Sequence, residues 1–273
     1  VSQPKVVAVT VTFRRTDLLR AAIASVLGQT RRPDAIVVVD NGDVATSVLA
    51  RVSGVEVVKA DSNLGPAGGY ALGFGLALER GADKIWVVDD DDEAEPECLE
   101  RLLSASSGND VVIPFQRKPD RDQGFPPSWN GPLFDAAAVR AAGLPRADLF
   151  FWAEDTEYFL RIARAGIPVR HAPDAMMLHQ NPLARVKGAQ RDWRLYYEIR
   201  NGLWLRLKVR DRTFKQYLRS FLLVTRTLLS IVLLERGKRA SLRLWWMGVS
   251  DFARGHLGKR VDPATWTAAR GSR

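Results

Sequence analysis

The sequence predicts an α/β fold: a mainly parallel sheet flanked by helices, with a C-terminal helical extension. Three observations carry this. Between Lys5 and about Phe115, short β-branched runs alternate with longer helical stretches, the pattern of a parallel sheet covered on both faces. The strand-like runs are near-continuously apolar, as strands buried on both sides are. From Arg191 onward the chain reads as helix throughout, basic and aromatic.

The elements follow in order. Lys5–Thr12 reads as a buried strand. Thr16 is placed to cap a helix that carries Leu18, Leu19, Ala22, Ile23, Val26 and Leu27 on one face. Ala35–Asp40 and Val55–Lys59 are the next strands. Pro66–Arg80 is a Gly- and Ala-rich helix with proline near its start, and Ile85–Val88 is a fourth strand. After Val111–Phe115 comes Gln116–Ser128, polar and rich in proline and glycine, which reads as a long structureless loop and a candidate substrate loop. Trp129–Phe134, Phe150–Ala165 and Ile167–His179 resume strand and helix. A soft boundary near Asn181-Pro182 separates a catalytic domain, residues 1–182, from a basic helical region, residues 183–273.

The 273 residues suffice for one substantial core and an appendage. The single cysteine, Cys98, excludes a disulfide framework and a Cys-based zinc site, so a reducing, cytoplasmic setting is expected. No secretory signal is expected, because the Val6–Val11 run is short and Arg14 and Arg15 follow it. The net charge of +9 is unevenly placed, with acids concentrated between Asp83 and Glu157 and arginines dominating from Arg185. Phe221–Leu234 is the most apolar stretch, but it is short for a membrane span and Arg226 interrupts it. Lys208, Arg210, Arg212 and Lys215 precede it; Arg236, Lys238, Arg239, Trp245 and Trp246 follow. That tail suits an interfacial patch on the inner face of an anionic membrane, or a surface that packs on protein. No nucleic-acid module is recognisable, and no nucleic-acid partner is expected.

In such sheets ligands bind beyond the carboxyl ends of the strands. Thr12 and Arg14, Asp40 and Asn41, and the run Asp89-Asp90-Asp91-Asp92 all fall there. Adjacent carboxylates repel, so the run costs free energy unless a cation compensates it, and hard oxygen ligands suit Mg²⁺ or Mn²⁺. On an extended segment Asp89 and Asp91 would point the same way toward one ion; the alternative is a solvated acidic turn. Glu154, Asp155 and Glu157 open a helix beside Phe151 and Trp152. They either complement the helix dipole or supply a general base. His179 closes an apolar run, as a packed residue or a metal ligand.

Seven short motifs in register resemble family 2 glycosyltransferases of the GT-A (Rossmann-like) fold. They are Thr10–Arg14, Val37–Gly42, Asn63–Gly69, the aspartate run, Trp129–Gly131, Trp152–Asp155 and Leu178-His179, with Tyr196–Asn201 extending the match. The Asn63–Gly69 segment and the aspartate motif together most resemble actinobacterial galactofuranosyltransferases that begin galactan synthesis, a cell-wall reaction; rhamnosyltransferases share much of the pattern. The resemblance implies an inverting hexosyltransferase with a nucleotide-sugar donor (a UDP-sugar, with UDP-galactofuranose indicated) and a saccharide, lipid-linked saccharide or protein acceptor. It implies that Thr12, Arg14, Asp40 and Asn63 hold uridine and ribose, and that Asp89, Asp91 and His179 hold Mn²⁺ or Mg²⁺. Asp155 would be the base, with Trp152 shaping the acceptor pocket and Gly65, Asp90, Trp129, Asn130, Gly131 and Glu154 among the substrate-binding residues. The fourth aspartate leaves two registers for the metal pair, Asp89/Asp91 or Asp90/Asp92. A nucleotidyltransferase would be expected to carry a Gly-rich loop after the first strand, where Thr12–Thr16 has no glycine. A non-catalytic sugar-nucleotide binder would lack Asp155 or the metal pair.

Overall fold

The structure is a computed structural model that describes residues 3–43, 45–49, 52–180, 192–235 and 238–266. The chain runs β1 (Val6–Thr12), α1 (Thr16–Leu27), β2 (Ala35–Asp40), α2 (Ala45–Leu49), β3 (Val55–Lys59), α3 (Gly65–Glu79), β4 (Lys84–Val87), β5 (Asp92–Ala94) and α4 (Cys98–Ala105). It continues through β6 (Val111–Lys118), β7 (Arg121–Gly124), β8 (Leu133–Asp135), α5 (Ala136–Ala142), α6 (Glu154–Arg164) and β9 (Val169–His179). Helices α7 (Arg194–Trp204), α8 (Phe214–Leu234) and α9 (Lys238–Arg254) follow, with a π-helical turn at Leu205–Val209 after α7.

Among the described residues nine strands form one sheet, ordered β3-β2-β1-β4-β8-β6-β9-β5 with β7 paired to β6. The β3-β2-β1-β4 half is parallel, and β6 and β9 are parallel as well. Strands β8, β7 and β5 run antiparallel to their neighbours. Side chains alternate between the sheet's faces. Val7, Val9 and Val11 join Val37, Val39, Tyr70 and Phe74 in one core; Val6 and Ala8 join Leu19, Ile23, Trp86 and Leu99 in the other. Both faces are therefore apolar, which is why the strands read as unbroken hydrophobic runs.

Helix α3 lies close enough to β1 that only glycine fits at the crossing. A Cβ at Gly69 would sit 2.5 Å from Val11 Cγ1, and one at Gly73 would sit 2.4 Å from Val9 Cγ1. The Gly/Ala-rich composition of that segment is thus a packing requirement.

Three expectations change in the structure. Thr16 does not cap α1: the helix starts at Thr16, and Arg15 occupies the cap position with no side-chain bond to the helix. Gln116–Ser128 is not structureless, because Arg121–Gly124 pairs back on β6 as an antiparallel hairpin. The apolar stretch at 221–234 is the end of a longer helix, the 21-residue α8, which is long and apolar enough to cross a membrane by length and composition. The expected boundary at Asn181-Pro182 lies outside the described residues, as do Arg185 and Arg236.

The chain divides into two compact units. The first comprises Val1–Ala147 and Tyr158–Pro182; the second comprises Asp148–Glu157 with Leu183–Arg273. In the second, Phe150, Tyr196, Tyr197, Ile199, Ile231 and Leu244 form a separate core.

Candidate active site

Parallel pairing of β1 with β4 brings their carboxyl ends to one edge, so Thr12 and the aspartate run become neighbours. The run is a tight turn and not an extended segment: the Asp92 N–H donates to the Asp89 carbonyl at 3.1 Å. Strand alternation therefore does not align Asp89 with Asp91. Asp92 opens β5, which pairs with β9 so that Asp92 stands opposite His179.

Each carboxylate has its own partners. Asp89 accepts from the Tyr70 hydroxyl at 3.1 Å. Asp90 accepts from Thr12 Oγ1 and from Arg15, both at 2.8 Å. The same Arg15 nitrogen reaches Asp91 at 2.9 Å. Asp92, fully buried, accepts from Asn130 Nδ2 at 2.8 Å and lies 3.0 Å from His179 Nδ1, which is also 3.4 Å from Asp91 Oδ1.

Burial dominates the electrostatics. It pushes the Asp89 carboxyl well above its ordinary range, reinforced by Asp91, Asp90 and Asp92. Burial pushes Asp90 up to about 6, against the pull of Arg15 and Thr12. Asp92 is raised by burial despite His179. For Asp91 the cost of burial is outweighed by the His179 imidazole close by and by the hydrogen bond and charge of Arg15, and its pKa falls. Burial alone would lower the His179 pKa, but the adjacent carboxylates of Asp91 and Asp92 raise it to about 10.

This set fits a hard divalent cation. Four carboxylates face one guanidinium and one imidazole, and Asp91 Oδ1 is buried without a hydrogen bond. Ligand atoms of Asp89, Asp90 and Asp91 lie within 4.8 Å of one another, as do those of Asp91, Asp92 and His179. Asp91 belongs to both groups. Neither group reproduces the expected trio Asp89, Asp91 and His179; Asp92 takes the place beside His179.

The other expected donor residues lie along the same edge. Both Asp40 oxygens accept backbone N–H groups, from Gly42 at 2.9 Å and Ala45 at 2.6 Å, so this carboxylate shapes the turn into α2. Asn63 Oδ1 accepts from the Gly65 N–H at 2.8 Å, and Gly65 has φ +68° at the start of α3. Arg14 is exposed, with a left-handed φ of 59° and its guanidinium 5.2 Å from the Phe13 ring. Arg15, and not Arg14, is the arginine that meets the aspartates. Trp129 is buried in the core, 4.7 Å from the Tyr70 ring, and supports the tyrosine that holds Asp89. Gly131, φ +82°, accepts from Trp86 Nε1 through its carbonyl.

Trp152, Glu154 and Asp155 belong to the second unit. They follow a segment in which Phe150, Trp152 and Ala153 all have left-handed φ of 62–72°, a conformation that costs non-glycine residues about 1–2 kcal/mol each. Asn201, fully buried on α7, holds it: Nδ2 lies 2.9, 2.7 and 3.0 Å from the carbonyls of Leu149, Phe151 and Trp152. Arg200, also fully buried, donates to the Leu149 and Gly258 carbonyls. Trp152 is exposed, Glu154 is buried, and Asp155 is half-buried at the start of α6. Burial raises the Asp155 carboxyl pKa, partly offset by hydrogen bonds from Thr156.

Arg15 and Tyr70 had no role at the site in the sequence reading; Asp92 entered it only through the Asp90/Asp92 register, and Asn201 only as the end of the Tyr196–Asn201 motif. Arg15 is signalled only by the tandem arginines after β1. The Asn201 latch is signalled by the Arg200-Asn201 pair, whose long-range carbonyl partners no local pattern reveals.

A family model for glycosyl transferase family 2 matches residues 7–180. Galactofuranosyltransferase GlfT1 of Mycolicibacterium smegmatis is 33% identical over 213 residues, covering 64% of this chain and 70% of the relative. The dTDP-rhamnosyl transferase RfbF of Shigella flexneri is 26% identical over 206 residues, covering 62% of this chain and 70% of the relative. The crystal structure of S. aureus TarS superposes with a TM-score of 0.62 at 14% identity, over 92% of this chain and 49% of TarS. The chain thus spans about half the length of that structure, and the likeness extends to the fold, which is GT-A. With the family model covering the sheet, the aspartate turn and His179, the chain belongs to glycosyl transferase family 2.

Proposed function

We propose that this chain is an inverting, metal-dependent glycosyltransferase that moves galactofuranose from UDP-galactofuranose to an acceptor hydroxyl. The observation that supports this most is the buried aspartate turn at the exit of β4, whose negative charge Arg15 and His179 only partly balance. Such a site is complementary to a divalent ion carrying a diphosphate.

Each residue has a task in this reading. Asp91 and Asp89, with the Asp92–His179 pair, hold Mn²⁺ or Mg²⁺, which when bound stabilises the charge growing on the departing nucleoside diphosphate. Thr12, Asp40, Asn63 and Gly65 form the edge that receives the nucleoside, and Arg15 orients Asp90 and Asp91. Asp155 removes the acceptor hydroxyl proton as that oxygen attacks the anomeric carbon opposite the diphosphate, inverting the centre in one displacement. The raised pKa of Asp155 moves its basicity toward that task. Trp152, exposed beside it, offers an aromatic face to the acceptor sugar. Residues 1–182 carry the donor site in this reading. The segment that bears the base packs on α7, and the basic C-terminal region, residues 183–273, docks at the inner face of an anionic membrane in this reading.

The GlfT1 relative supports galactofuranose as the sugar; the RfbF relative supports rhamnose from a TDP-sugar as the second reading. A nucleotide-release screen separates them. Purified chain with Mn²⁺ is offered UDP-galactofuranose, UDP-galactopyranose, UDP-glucose and TDP-rhamnose. Preferential UDP release from the furanose donor is expected; preferential TDP release would replace it with the second reading.

A further inference from the structure

The second unit contains a feature that the transfer reaction does not use. The π-helical turn after α7 and one flank of α8 enclose an open cavity of about 730 Å³. Arg206 and Arg210, one turn apart, line it from one side; Arg219 and Arg226, two turns apart on α8, line it from the other with Gln216 and Leu222. None of the four arginines has an acidic partner among the described residues. Arg206 is half-buried and donates only to its own helix, at the Gly202 carbonyl, 2.7 Å away. Desolvation and the like charges of Arg210 and Arg219 lower its pKa. Gathered guanidinium groups in a partly desolvated cavity are unfavourable alone and well matched to phosphate oxygens.

The neighbouring face of α8 is apolar and uncovered. Phe214, Phe221, Leu218 and Leu229 recur at helical spacing on that face, and Phe221 is 64% exposed. Leu222, itself exposed, lies where this stripe meets the arginine cavity. A helix with one apolar face and arginines along its flank fits the boundary between acyl chains and headgroups. A spanning orientation would instead place Arg219 and Arg226 within hydrocarbon, at about 2.5–3.5 kcal/mol each near the centre.

From this juxtaposition we propose that the arginine cavity binds the phosphate of an anionic lipid headgroup while the apolar face of α8 enters the lipid surface. The proposal deepens the membrane-docking part of the functional reading and rests on it. Carboxylate lipids of equal charge would satisfy general attraction, but offer fewer acceptor oxygens per headgroup to the arginines that line the cavity.

The test uses the full chain with vesicles of phosphatidylcholine containing either phosphatidic acid or oleate at matched surface charge, read by co-flotation. Inorganic pyrophosphate serves as the soluble probe, read by calorimetry. Wild type is expected to prefer phosphatidic acid vesicles. R206Q/R219Q, folded by circular dichroism, is expected to lose about thirtyfold in affinity, from roughly 1 kcal/mol per surface cation, and to lose the preference for phosphate over carboxylate. K238Q/R239Q, which removes equal charge outside the cavity, is expected to keep that preference. Equal preference in both double variants would overturn the cavity while leaving docking intact. Pyrophosphate binding that needs Arg206 and Arg219, with no association of wild type to either vesicle, would show a free-phosphate site and overturn the lipid partner. A homodimer abolished by Phe221→Asp, with no vesicle binding, would overturn both.

Discussion

Replacing Asn201 with leucine removes one side chain of similar volume and, with it, the anchor of the 149–153 segment. Asn201 Nδ2 serves the carbonyls of Leu149, Phe151 and Trp152 at 2.9, 2.7 and 3.0 Å. Leu149 keeps the Arg200 and Phe151 donors, so the groups left short are the part-buried carbonyls of Phe151 and Trp152 and the buried Arg200 Nε–H, which donates to Asn201 Oδ1 at 2.8 Å. At about 1–3 kcal/mol for each buried polar group left unpaired, and less for carbonyls that water reaches, the loss is about 2–6 kcal/mol. The three left-handed residues store about 3–6 kcal/mol, at about 1–2 kcal/mol apiece. The two quantities match, so without the latch the segment has no reason to keep its conformation, and Asp155 shifts from its working position. A displacement of about 1 Å in a reacting group costs on the order of 10²-fold in rate. Steady-state transfer kinetics beside calorimetric donor binding in Mn²⁺ form the assay. We expect kcat to fall about 10²-fold while donor affinity changes less than about threefold, since the expected nucleoside-binding residues belong to the first unit. Unchanged kcat in a folded Asn201→Leu protein would refute the reasoning, as would an equal loss of donor binding.

Three further outcomes follow from the same structure. Asp155→Asn is expected to abolish transfer while donor binding survives; turnover at the wild-type rate would remove Asp155 as the base. Because the base must be ionised and burial raises its pKa, kcat/KM is expected to fall with acid through a limb lying above the ordinary carboxylate value, 3.8; a limb at or below that value would contradict the assignment. Gly73→Ala places a Cβ 2.4 Å from Val9 Cγ1, so a destabilisation of about 1–3 kcal/mol is expected, measured by urea unfolding; wild-type stability would contradict the close packing of α3 on β1.

The sheet's first half was legible because doubly buried strands leave unbroken β-branched runs, and Val6–Thr12 and Ala35–Asp40 match the expected strands nearly residue for residue. Helix α3 was legible from its glycines. The β7 hairpin was not, since Arg121–Gly124 pairs only along an edge and carries no apolar alternation. The aspartate run was visible as a cluster, but its geometry depends on the Asp92-to-Asp89 turn bond and on the β5–β9 register, both invisible to local pattern. That register exchanges Asp89 for Asp92 as the neighbour of His179. Arg14 and Arg15 are indistinguishable by type; in the structure Arg14, at a left-handed φ, is exposed while Arg15 reaches Asp90 and Asp91. Trp129, expected among the substrate-binding residues, is instead buried in the core against Tyr70, a contact that no local pattern reveals.

The central claim is that Asp91, shared by both carboxylate groups, anchors a divalent ion that the transfer reaction needs. The direct measurement is Mn²⁺ binding, by calorimetry or electron paramagnetic resonance, to metal-stripped wild type and Asp91→Asn in the presence of UDP, beside nucleotide release from the donor sugar. We expect wild type to bind one ion and to recover activity on its addition, and Asp91→Asn to lose both while remaining folded. Full activity of the stripped wild-type protein in chelator, or wild-type Mn²⁺ affinity in Asp91→Asn, would contradict it.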